Sequence, residues 1–119
     1  MSRAQGRAAE ETALHHLRSH GLGLIARNWS CRGGELDLVM AEGSTVVVVE
    51  VRQRRPSGFA TAAESVTPHK QRRLQRATEY FLLRHPHLAV RPLRFDVVAL
   101  RTPNDQEPDW IRDAFQAAP

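Results

Sequence analysis

The chain has one cysteine, Cys31, and one lysine, Lys70, among 119 residues. A single thiol excludes an internal disulfide, and the opening Met1-Ser2-Arg3-Ala4-Gln5-Gly6 carries no hydrophobic core of a secretory signal. A reducing cytoplasm is therefore the expected setting. No apolar run approaches the roughly 18 residues that a bilayer crossing needs, so no membrane segment is expected. Glycine-rich phosphate loops, nucleophile elbows and paired-cysteine zinc motifs are missing as well, which removes ATP and zinc from the expected ligands. His16 and His20 stand four residues apart without a third ligand near them, and Cys31 has no activating neighbour, so neither reads as a metal or catalytic group. The length suits one domain, residues 1–119, with a single core.

What the chain does have is acid in its two most apolar segments. Gly34-Glu35-Leu36-Asp37-Leu38-Val39 carries Asp37, and Val46-Val47-Val48-Val49-Glu50-Val51-Arg52 carries Glu50. A carboxylate in low dielectric takes up a proton or needs a cation beside it, because an isolated buried charge costs several kcal/mol. The obvious cation is a bound metal. Between the two segments, Glu42-Gly43 has the composition of a two-residue hairpin loop. That loop pairs Ala41 with Ser44, Asp37 with Val48 and Glu35 with Glu50, and it puts Glu35, Asp37, Glu50 and Arg52 on one face. Diagonal neighbours on such a face lie roughly 7–8 Å apart, a span that two carboxylates close by sharing one divalent ion.

Periodicity gives the surrounding elements. Ala13, Leu14 and Leu17 recur at helical spacing from about Gln5 to His20, with Gly21 as the stop, and Glu10 lies on the same core-facing stripe. Leu22 to Trp29, Gly34 to Ala41 and Ser44 to Arg52 read as three strands of a meander. Gln53 to Ser65, with Pro56, Ser57 and Gly58, reads as a mobile connection. Thr67-Pro68 starts a second helix that runs to about Arg84 along a stripe of Leu74, Ala77 and Phe81. Leu93 to Leu100 is a fourth strand, and Trp110 to Phe115 a short closing strand or tail. Helix, three strands, helix and strand predict an α/β fold with a mixed central sheet, the fourth strand joining through a helical crossover. Trp29 and Trp110 are expected in the core, and Asp96 in a structural ion pair or cap.

The net charge is +4, and basic residues gather in Arg52, Arg54 and Arg55 and again in Lys70, Arg72, Arg73 and Arg76. These segments flank the acidic positions and suit a phosphate backbone.

The motifs Gly6 to Leu17, the Asn28 to Cys31 segment, Gly34 to Val39, Val49-Glu50-Val51-Arg52, Val66-Thr67-Pro68-His69-Lys70-Gln71-Arg72-Arg73-Leu74 and Arg94-Phe95-Asp96-Val97-Val98 resemble the YraN family of small bacterial proteins. That family is assigned to the restriction-endonuclease-like superfamily and is similar to archaeal Holliday junction resolvases. The resemblance implies an α-β-β-β-α-β nuclease core with catalytic positions at Glu10, Asp37, Glu50 and Arg52. It also implies Mg²⁺ or Mn²⁺ held by Asp37 and Glu50 with Glu10 assisting, cleavage of branched or damaged DNA, and a homodimer. Arg54, Arg55, Lys70, Arg72, Arg73 and Arg76 would grip the DNA backbone. The superfamily pattern has a lysine where Arg52 stands, and an arginine, with a pKa above 12, cannot act as a base. The alternative is accordingly a catalytically inactive protein of the same fold that binds nucleic acid or a protein partner, and Lys70 is the candidate to supply the missing ammonium.

Overall fold

Val46 to Val49 offers apolar side chains to both faces of a strand, as only a central strand covered on two sides requires. The computed structural model describes residues 2–54 and 64–117, and this segment is the middle of its five-stranded sheet. The elements run α1 (Arg3–Ser19), β1 (Gly23–Cys31), β2 (Gly34–Glu42), β3 (Thr45–Gln53), α2 (Pro68–Arg84), α3 (Pro86–Ala89), β4 (Leu93–Leu100) and β5 (Asp109–Phe115). The strands lie in sequence order; β3 and β4 are parallel, joined through α2, and the other neighbours are antiparallel. This is the mixed α/β architecture expected, compatible with an α-β-β-β-α-β nuclease-like core. Arg55 and the Pro56-Ser57-Gly58 stretch of the connection lie outside the described residues.

Successive valines of β3 point to opposite faces. Val47 and Val49 pack with Leu38, Met40 and Val98 beneath Ala9, Ala13, Leu14 and Leu17 of α1. Val46 and Val48 pack with Val39 and Val97 beneath Leu74, Ala77 and Phe81 of α2. Each helix thus covers one face of the same sheet.

Several boundaries differ from expectation for local reasons. Helix α1 begins at Arg3 because Ser2 and Gln5 form a capping box: the Gln5 N–H donates to the Ser2 hydroxyl at 3.2 Å, and the Ser2 N–H to Gln5 Oε1 at 2.9 Å. The hairpin turn is Gly43-Ser44, with Gly43 at φ +58°, and Glu42 pairs with Thr45. Glycine leads the turn, as in type II′ hairpins, where the first central position needs positive φ. Moving the loop by one residue changes the pairing by two, so the faces stay as read while the partners change. The last matched pair is Leu38 with Val49, and the next residues outward are Asp37 and Glu50.

The residues after Thr102 form a true edge strand, β5, tied to β4 by a buried charge. Asp96 is fully buried and accepts from Arg94 Nε at 2.9 Å, Trp110 Nε1 at 2.9 Å and the Asp113 N–H at 2.9 Å. Arg94 continues to Glu42 at 2.7 Å, and Glu42 also receives Arg112 at 2.9 Å. The network fastens β4, β5 and the end of β2 together. Asp113 has φ +50° there, a left-handed residue that turns its N–H toward Asp96. Asp96→Ala leaves the Trp110 N–H and the Asp113 N–H without their acceptor and takes from Arg94 one of its two carboxylate partners, and it is expected to cost about 3–5 kcal/mol. Arg112→Ala, at the solvent-exposed end, is expected to cost under about 1 kcal/mol. Urea unfolding of the two variants checks the contrast.

Candidate functional site

Strands β2 and β3 stop pairing after Leu38 and Val49, and the chain fills the gap with side chains instead of ladder hydrogen bonds. The Val51 N–H, left without a β2 carbonyl, donates to Asp37 Oδ2 at 2.9 Å. This bond fixes the Asp37 carboxylate beside Glu50, whose residue is only 5% exposed. The site is thus built where the ladder ends.

Helix α2 supplies the facing cation. Thr67 caps the helix by accepting the Lys70 N–H at 3.2 Å, with Pro68 in the first turn. The cap seats Lys70 over the sheet, and its Nζ lies 3.2 Å from Glu50 Oε1. Arg52 reaches the same oxygen less closely, at 3.8 Å, and donates through Nη2 to the Ser65 carbonyl at 3.0 Å. The arginine at the expected lysine position therefore ties β3 to the segment before α2, while the chain's one lysine makes the shorter contact.

From the other face, α1 contributes Glu10, half-buried as its stripe position implies. With its amide nitrogen turned toward the helix, Asn28 donates to Glu10 Oε1 at 2.9 Å and Oε2 at 3.2 Å. Asn28 has φ +51° within β1, a conformation that asparagine tolerates better than most residues. Its role as the holder of Glu10 escaped the sequence reading, because no periodicity marks a left-handed residue inside a strand.

Two clefts meet at the carboxylate pair. One, of about 390 Å³, includes Glu10, Asp37, Glu50, Arg52, Gln53 and Lys70. The other, of about 250 Å³, includes Glu35, Asp37, Glu50, Lys70 and Arg73. Of the remaining sequence candidates, Arg76 lies against Gly33, Arg72 is exposed and lines neither cleft, and Arg54 pairs with Asp109 of β5. The structure brings Glu10, Asp37, Glu50, Arg52, Lys70 and Arg73 together and leaves Arg54 and Arg72 apart.

The electrostatics follow from this burial. Burial pushes the Glu50 carboxyl up to about 7, the nearby Asp37 charge adding to it and Lys70 and Arg52 opposing it. Burial raises Asp37 too, against the Val51 N–H and Lys70, and raises Glu10, with Asp37 adding and Asn28 opposing. Two crowded carboxylates that resist ionising are a donor set that a divalent cation would relieve. Among the described residues no three His, Cys, Asp or Glu side chains converge as a closed metal cage. Mg²⁺ does not require one, since it commonly takes one or two carboxylates and fills its octahedron with waters and substrate oxygens. The pair Asp37 and Glu50 fits that habit, with Glu10 in the wall of the same cleft.

A folded-state carboxyl raised above its unfolded value binds a proton that the unfolded chain has released. Stability is then lost as pH rises from about 4.5 through about 7. In the presence of EDTA, Glu50→Gln, which mimics the protonated acid, is expected to be more stable than wild type at pH 8, by about 1–3 kcal/mol. The difference should vanish at pH 4. Urea unfolding at the two pH values reads it, and a destabilised Glu50→Gln at pH 8 would show that the Lys70 contact outweighs the burial.

The comparisons with other proteins agree over nearly the whole chain. A family model described as "Uncharacterised protein family UPF0102" matches residues 9–100. A "UPF0102 protein" of Stutzerimonas stutzeri (strain A1501) is 51% identical over 117 residues, 98% of each chain. One of Pseudomonas aeruginosa (strain LESB58) is 50% identical over 119 residues, 98% of this chain and 95% of the relative. One of Ectopseudomonas mendocina (strain ymp) is 53% identical over 112 residues, 94% of each. The chain belongs to the family UPF0102, the YraN family that its motifs resemble.

Proposed function

We propose that this protein is a metal-dependent endonuclease that hydrolyses phosphodiester bonds in branched or damaged DNA. The observation that carries the reading is the meeting of two strand-borne carboxylates, the half-buried Asp37 and the buried Glu50, with the Lys70 ammonium 3.2 Å from Glu50, in an open cleft. Asp37 and Glu50 would hold Mg²⁺ or Mn²⁺, and Glu10, oriented by Asn28, would assist from α1. The ion, when bound, supplies a polarised phosphoryl oxygen and a more acidic water. Lys70 brings to the cleft the positive charge that the superfamily pattern assigns to β3, where it neutralises the phosphate and its developing charge. Arg52, engaged by the Ser65 carbonyl, adds a fixed charge at the cleft edge and takes no proton. Arg73, lining the second cleft, and Arg76 beside it would meet the backbone of the DNA.

A specific observation favours a second reading. The cation at the catalytic-lysine position is tied to a backbone carbonyl, as a structural residue would be, and this would suit a nuclease fold kept for binding alone.

Incubation of wild type, Asp37→Ala, Lys70→Ala and Arg52→Lys with Mn²⁺ and four-way junction, flap, single-stranded and duplex DNA decides between the two. Wild-type cleavage that falls about 10²-fold or more in Asp37→Ala and Lys70→Ala is the expected result. Cleavage unchanged in Lys70→Ala would remove the lysine from the reaction, and cleavage by Arg52→Lys alone would establish the binder. DNA binding in EDTA should weaken steeply with salt, and Arg73→Ala should lower the salt slope by about one.

A further inference from the structure

On the far side of the β1–β2 turn lies a third cleft, of about 330 Å³, which the carboxylate site does not use. It is lined by Trp29, Ser30, Cys31, Arg32, Tyr80 and Arg84. Its composition differs from the first two: two aromatic rings and two guanidinium groups, with no acid in the wall. The Trp29 ring is fixed edge-on against Phe81 at 5.4 Å, whereas Tyr80 is 47% exposed, unusually open for an aromatic side chain. Aromatic faces bordered by arginine suit a flat, electron-rich ring carrying a phosphate, because stacking serves the ring and the guanidinium serves the anion.

Helix α2 connects this cleft to the carboxylates. Lys70, Arg73, Ala77, Tyr80 and Arg84 fall at successive spacings of three and four, one stripe along the helix. Lys70 and Arg73 line the second cleft, Tyr80 and Arg84 the third. From Lys70 to Tyr80 the helix rises about 15 Å, or about four base steps of a nucleic-acid strand at 3.4 Å each. Between the two clefts the chain places Gly33 and Gly34. A Cβ on Gly33 would come within 3.0 Å of Arg76 Cδ and 3.6 Å of Tyr80 Cε2, so the turn lies low against the helix as a saddle without side chains.

We propose that the third cleft is a base-binding subsite: an unpaired nucleobase of the substrate strand stacks against Tyr80 and Trp29, with Arg32 and Arg84 on its flanking phosphates. The strand then crosses the Gly33-Gly34 saddle past Arg76 and reaches Arg73, Lys70 and the carboxylate pair. The subsite selects nucleic acid that offers an unpaired nucleotide a few steps from the scissile bond. The direction of the strand rests on the nuclease reading of the carboxylate site; the stacking cleft itself does not.

The test is fluorescence anisotropy in EDTA, with labelled oligothymidine, oligouridine and a DNA duplex, on the full chain. Tyr80→Ala should weaken oligothymidine binding by about tenfold and leave duplex binding unchanged, and Tyr80→Phe, which keeps the ring, should bind as wild type. Parallel losses with oligouridine would assign the cleft to single strands of either sugar, and a loss with oligothymidine alone to DNA. The Tyr80 side chain projects from the exposed side of α2, so its truncation leaves Phe81 and the core in place. Tyr80→Ala binding oligothymidine as tightly as wild type, or losing oligothymidine and duplex equally, would overturn the proposal. Tyr80-dependent binding in a protein that cleaves nothing with Mn²⁺ would sink the nuclease reading and keep the subsite. Cleavage with Tyr80-independent binding would do the reverse.

Discussion

Asp37 and Glu50 stand side by side where β2 and β3 cease to pair, and much of the fold serves to hold them there. Their proximity is unfavourable in itself. An ionised carboxylate removed from water costs several kcal/mol even after relaxation, and two of them repel, in a domain whose whole stability is of the order of 5–15 kcal/mol. The upward shift of both groups is the electrostatic signature of that strain. Relaxation by splaying is blocked on every side. The Val51 N–H holds Asp37, and the valine rows above and below fix β3 between two helices. The Asp96 network secures β4 and the far end of β2, so the strands cannot separate from that end either. A site that opposes stability persists because its frame is over-determined, which is how unfavourable local arrangements survive at positions of function.

Two-residue periodicity made the acidic face legible before the pairing was known. The composition of Glu42-Gly43 points to a hairpin loop one residue early, which matches Glu35 with Glu50. The shift to Gly43-Ser44 left each side chain on its face, because a loop moved by one changes the pairing sum by two. The face was therefore right and the partner wrong: Asp37, not Glu35, follows the last matched pair beside Glu50. The second helix was equally legible, since Thr67-Pro68 is a local signal whose hydrogen bond appears as expected. The apolar stripe starts later than α1 itself, whose first turn is set by an equally local signal, the capping box of Ser2 with Gln5.

The contacts that escaped are the long-range ones. Nothing in the spacing of Glu50 and Lys70 says that a helix cap will set them 3.2 Å apart, and Asn28 reaches Glu10 only because β1 takes a left-handed residue where α1 crosses it. Likewise the spacing leaves Trp110 to Phe115 open between a closing strand and a tail, because its pairing as β5 depends on a buried aspartate fourteen residues from Trp110. Periodicity reports which face a residue takes. Side-chain reach across elements depends on how the helices are seated, and that is set by packing rather than by pattern.

In the proposed nuclease reading, charge balance accounts for an arginine and a displaced lysine at a site that the resembled superfamily builds with a single β3 lysine. When all are ionised, the first cleft holds three carboxylates, Glu10, Asp37 and Glu50, against two cations, Arg52 and Lys70. The excess is one negative charge, which repels a phosphodiester and raises every acid in the cleft. In the proposed reading, one divalent ion reverses the excess to one positive charge, which a single backbone phosphate neutralises. A β3 lysine alone would leave the balance one unit more negative and the phosphate unmatched. Arg52 cannot replace that lysine as a base, yet as a permanent charge anchored at the Ser65 carbonyl it leaves Lys70, on its flexible stem, free to follow the phosphate from Glu50. On this account the two cations divide between them what one residue does elsewhere: arginine sets the potential of the cleft, and lysine moves within it.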